Sequence, residues 1–199
     1  CRRADPTTAV SRMRETMKAA DLVYANLEGL LVPSAGTTID IPDKPEWTHP
    51  GPDGVKALKT ANVAVVGVAN NVASGRDNIL KSVGVLDANG ISHTGAGKNL
   101  DEAHKPAIVV RKGVRVGFLQ YTARWYQDKD MLATATEAGV AKITSIDGIT
   151  IDPADVERLR SDVKKLRSQV DIVIVSHHNR DGSTAVQFGA VKGTSAGRD

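Results

Sequence analysis

Two amides in succession, Asn70-Asn71, stand directly after the apolar run 63–68, a place where polar side chains seldom serve packing. The Asn71 carbonyl oxygen suits a metal and its amide hydrogens a phosphate, whereas Asn70 is equally suited to capping the turn that follows. Two further polar clusters occupy similar places: Asn26-Leu27-Glu28 after the run 22–25, and Ser176-His177-His178 after the run 172–175. The Glu28 carboxylate is a hard oxygen donor for a divalent cation, although a solvated loop glutamate has the same local sequence. Imidazole suits zinc, iron and manganese sites and also acts as an acid or base near neutrality. Successive side chains of an extended chain point to opposite sides, so one of His177 and His178 is expected to face a pocket. His49, His93 and His104 have no partner at motif spacing and are read as non-catalytic.

Three such clusters serve chemistry only if the strands before them lie side by side, since ligands of open α/β sheets collect outside the carboxyl ends of the strands. Apolar residues at Val10, Met13, Met17 and Ala20 predict a helix over 8–20 that feeds a strand over 21–25. Four prolines and a glycine at 36 make 29–50 a long loop over the strand ends. A short helix at 52–60, a buried strand at 63–68, a helix at 78–88 with Ile79, Leu80, Val83 and Leu86 inward, and a strand at 90–94 give a βαβ rhythm. That rhythm predicts a parallel sheet with right-handed crossovers. The runs 107–110 and 114–119, joined through Lys112-Gly113, predict a β-hairpin. Residues 122–151, with Trp125 and Tyr126, read as a loop or insertion. Asp152 caps a helix opened by Pro153, with Val156, Leu159, Val163 and Leu166 as its apolar stripe, before a strand over 171–175.

With 199 residues and 41% hydrophobic content the chain can bury one substantial core, so a single domain over 1–199 is expected. The net charge of +3 is spread without a basic run, which argues against nucleic acid as a partner. Cys1 is the lone cysteine, so neither an internal disulfide nor a cysteine zinc site is available. The longest apolar runs are strand-sized, well short of the roughly 20 residues of a membrane-spanning helix.

In order along the chain stand 20–28 (Ala-Asp-Leu-Val-Tyr-Ala-Asn-Leu-Glu), 66–71 (Val-Gly-Val-Ala-Asn-Asn) and 90–97 (Gly-Ile-Ser-His-Thr-Gly-Ala-Gly) with Asn99-Leu100. Lys105-Pro106-Ala107-Ile108, the stretch 113–119 and the stretch 171–178 ending in Ser176-His177-His178 follow. With these the chain resembles the capsule-biosynthesis CapA family, also called the poly-gamma-glutamate synthesis protein family, within the calcineurin-like metallophosphoesterases. The resemblance implies a four-layered α/β/β/α metallophosphatase-like sandwich, and a chain that is a fragment of it: the family's opening Gly-Asp strand belongs upstream of Cys1 and its closing Gly-His motif downstream of Asp199. It further implies one or two divalent metal ions, manganese, zinc or iron, with Glu28, Asn71 and His178 as ligands and Asn70 and His177 beside the substrate. The implied activity is metal-dependent hydrolysis in the handling of an anionic extracellular polymer or a phosphorylated substrate, at the cell envelope or outside the cell and with envelope proteins as partners. A polymer-binding or assembly component that keeps the fold without catalysis is the alternative. Val72 stands where the family carries a histidine after the paired asparagines, and Asn179-Arg180 where it carries Trp-Gly. A valine neither donates a proton nor steadies a phosphoryl oxygen.

Overall fold

The computed structural model describes residues 5–32, 50–123, 130–144 and 150–179. Cys1, His49, Trp125, Tyr126, Arg180, most of the predicted loop 29–50 and the chain's last stretch lie outside the described residues.

Strands β1 (Val23–Asn26), β2 (Val63–Gly67) and β3 (Ser92–Thr94) form one parallel sheet in that order. This is the sheet that the βαβ rhythm predicts: α2 (Gly54–Thr60) precedes β2, and α3 (Arg76–Ala88) crosses from β2 to β3. Val23 opposes Val63 and Tyr24 opposes Val65, which leaves Ala64 unopposed as a bulge. The extra residue resets the side-chain alternation. Val63 and Val66 pack with α2 and α3, while Ala64 and Val65 turn to the opposite face.

A second three-stranded sheet runs in the order β5 (Ala107–Arg111), β6 (Val114–Thr122), β8 (Ile172–His178). Lys112 and Gly113 both have positive φ, 49° and 83°, and lie between the paired residues Arg111 and Val114, as a two-residue hairpin of the primed type requires. Along β6 the side chains alternate. Val116 and Phe118 enter the core between the two sheets, and Leu119 and Tyr121 pack under α5 (Pro153–Arg167). Gly117 leaves room on that outer side for Leu166, whose side-chain atoms lie 2.6–3.0 Å from where a Cβ would stand.

Three hydrophobic cores therefore separate four layers. Val55, Ile79 and Leu86 pack on the first sheet. Val65, Ala107, Val109, Val116 and Phe118 join sheet to sheet. Leu159, Val163 and Leu166 of α5 cover the second sheet. The order α/β/β/α is that of a metallophosphatase-like fold.

Four local expectations change. The helix predicted over 8–20 breaks into two 3-10 turns, Pro6–Ala9 and Ser11–Met13, and a short α1 (Arg14–Ala19), because only Val10 and Met17 find apolar partners and Met13 is exposed. On α3, Ile79, Val83 and Leu86 face inward as predicted and the buried Ser82 joins them, whereas Leu80 is exposed. Residues 30–32 open the predicted loop but are core, with the Leu31 amide donating to the buried Ser82 hydroxyl at 2.9 Å. Within 122–151, β7 (Gly139–Val140) pairs antiparallel with β4 (Ala96–Gly97), and Arg76 binds the segment by donating to the Leu132 and Ala138 carbonyls at 3.2 and 2.6 Å. A further short helix, α4 (Leu100–Ala103), is capped by the Asn99 side chain.

Candidate functional site

The carboxyl ends of the strands meet through side chains. Gln120, near the end of β6, donates through Nε2 to Asn26 Oδ1 at 2.9 Å and accepts at Oε1 from the Ala69 amide at 2.8 Å. It is 1% exposed, so this single amide ties the ends of β1, β2 and β6 together across the inter-sheet space. Gly67 makes that possible, since a Cβ there would collide with Gln120 and with the Tyr24 hydroxyl. Sequence reasoning passed over Gln120. Its signal was an amide at an inward register of an otherwise apolar strand, two residues beyond Phe118.

Asn70 has no exposed surface. Its Nδ2 donates to the Leu27 and Val68 carbonyls at 2.6 and 3.1 Å, and its Oδ1 accepts from the Val72 amide at 3.0 Å. Both amide hydrogens are engaged, so the substrate contact expected of Asn70 meets a side chain already committed to backbone. What it does is hold the Leu27 carbonyl against the turn that carries Asn71. Glu28 follows Leu27, is exposed, and is thereby placed on the segment adjoining that turn.

Asn71 and His178, 107 residues apart, do come together: His178 Nε2 lies 2.6 Å from Asn71 Oδ1. The oxygen can only accept, so Nε2 carries the proton. β8 runs through both histidines rather than ending before them. Register then decides which one faces the site. His178 opposes Thr122, and His177 opposes Tyr121, whose side chain packs under α5. His177 thus belongs to the other face of the sheet, away from Asn71. Burial, with the His178 imidazole beside it, pushes His177 down to about 4, so it is neutral at neutral pH.

Donor chemistry allows a test of the implied metal. Asn71 Oδ1 and His178 Nε2 lie 2.6 Å apart, and an amide oxygen with an imidazole nitrogen suits manganese, zinc or iron. Among the described residues no group of three or more His, Cys, Asp and Glu side chains converges. A set of Glu28, Asn71 and His178 contains only two side chains of those types, so it is not such a group. The residues fit a cation held partly by amide oxygen. Val72, 1% exposed, fills the next position with a buried apolar side chain.

The family model for the bacterial capsule synthesis protein PGA_cap matches residues 2–185, nearly the whole chain. The chain belongs to the PGA_cap family. PGA_cap membership sets its function in bacterial capsule synthesis and agrees with the α/β metallophosphatase-like layering. No curated protein matches the chain. Among the described residues of this PGA_cap chain no helix is long and apolar enough to cross a membrane.

Proposed function

We propose that this PGA_cap chain is a metal-dependent hydrolase of the cell envelope that acts on an anionic capsular polymer, such as poly-gamma-glutamate, or on a phosphorylated precursor of one. The observation that carries the reading is the 2.6 Å approach of His178 Nε2 to Asn71 Oδ1 at the ends of β8 and β2. Glu28, Asn71 and His178 hold the cation. When bound, it supplies Lewis acidity toward a phosphoryl or carbonyl oxygen and lowers the pKa of water. The chain's own residues orient and exclude. Asn70 and Gln120 fix the strand ends that carry the ligating residues. To hold a cation, His178 would use the Nε2 lone pair of its other neutral tautomer, with the proton on Nδ1, because the same nitrogen cannot both donate to Asn71 and ligate.

The buried Val72 favours a second reading, a polymer-binding or assembly component with a metal site and no proton donor. One experiment addresses both. The purified chain is incubated with manganese, zinc or iron, stripped of loose metal and assayed for metal content and for hydrolysis of a phosphomonoester and of poly-gamma-glutamate. Near-stoichiometric metal in the unaltered chain, reduced about tenfold or more in Asn71→Ala and His178→Ala, supports the site. Retention that ignores both substitutions removes it. Retention without hydrolysis of either substrate selects the second reading.

A further inference from the structure

The carboxylate of Asp162 on α5 accepts from His104 Nδ1 at 2.7 Å and from the Tyr121 hydroxyl at 3.0 Å, both at Oδ2. Sequence spacing showed no partner for His104, because Asp162 is 58 residues away and on another element. A carboxylate only accepts, so Nδ1 carries a proton, and Nε2 is the ring's remaining polar atom. That nitrogen is buried and has no hydrogen-bond partner, on a residue 9% exposed. Buried polar atoms without partners are uncommon and call for a cause.

His104 and Asp162 help line a cavity of about 610 Å³, a size typical of small-molecule sites. Arg158, Asp162 and Lys165 are spaced four and three apart and share one face of α5, and Lys105 comes from the turn after α4. Among the described residues Lys105, Arg158 and Lys165 form no ion pair. Against these three cations stand the carboxylates of Asp101 and Asp162, so cations outnumber carboxylates along the lining. Like charges gathered on one cavity repel, and an anion relieves the repulsion. We propose that this cavity between α4 and α5 binds a small organic anion, with Lys105, Arg158 and Lys165 holding the anionic group and the His104 ring, fixed by Asp162, forming part of its wall.

The test uses the purified full chain in the presence of a chelator, so that no bound metal competes for the anion. Glycerol phosphate and gluconate are titrated separately by calorimetry, and the imidazole nitrogens of His104 are followed by NMR. Saturable binding of either probe, weakened about tenfold or more in the Arg158→Glu/Lys165→Glu chain, supports the site, and the probe that binds assigns phosphate or carboxylate as the anionic group. Circular dichroism checks that the altered chain is folded, and Lys105→Glu, on a different element, gives an independent loss. No binding of either probe at millimolar concentration, or binding that survives charge reversal in a folded chain, overturns the proposal.

Discussion

Asn70 and Asn71 are adjacent and chemically identical, yet the fold gives them opposite tasks. Asn70 points into the protein and satisfies three backbone groups, and Asn71 points at His178. Replacing Asn70 by alanine would strand two buried carbonyls and one amide, so Asn70→Ala should lower unfolding free energy by roughly 3 kcal/mol, read from urea denaturation. Metal affinity should fall with it, since Leu27 and the Asn71 turn lose their tether. Tyr121 offers a pH-dependent test. Burial, and then the nearby Asp162 carboxylate, raise its phenol well above the ordinary range, so the folded chain keeps the proton that the unfolded chain releases near roughly 10. A raised folded pKa means stability that is complete below that pH and declines as pH rises beyond it. Tyr121→Phe should flatten this alkaline decline, measured as the denaturation midpoint against pH. An unchanged slope would show that Tyr121 is not the group responsible.

At the scale of elements, α5 shows how local chemistry is legible before the fold is known. Asp152 accepts from the Ala154 amide at 2.8 Å and Pro153 opens the helix, as the residue types predict. Asp152→Ala should therefore cost about 1 kcal/mol in unfolding free energy, with no effect on metal content. The opposite end of the chain was not legible. The period of three to four over residues 8–20 promises one helix, but periodicity says nothing of how much partner surface exists, and with only Val10 and Met17 packed the segment folds into two 3-10 turns and the short α1. Ser82 was missed for a related reason: a serine on the inner face of α3 makes sense only once the Leu31 amide needs an acceptor. The Ala64 bulge has no sequence signature either, although it determines which valines of β2 face the helices.

At the scale of the molecule, the two sheets are held face to face by one modest core, at whose centre Tyr24 and Phe118 stack with centroids 5.2 Å apart and planes within 8°. Phe118→Ala should destabilise the chain by about 3–5 kcal/mol and abolish metal retention together with near-ultraviolet dichroism, because the strand ends keep their alignment only while the sheets stay in contact. Retention of metal by the substituted chain would show that the site survives without the inter-sheet core. Strand runs, turn residues and the αβ rhythm lie within a few residues of one another, so the sequence by itself determined the βαβ unit, the hairpin through Lys112-Gly113 and the capped helix α5. Short polar clusters after strands also marked Asn71 and His178 as candidates. Only the tertiary structure decided that these two meet, that Asn70 and His177 face elsewhere, that Gln120 joins three strand ends, and that His104 has Asp162 as its partner. Each of those facts depends on strand register and on pairs of residues from 41 to 107 positions apart. A one-residue shift of β8 against β6 would turn His177 and His178 to the opposite face of the sheet.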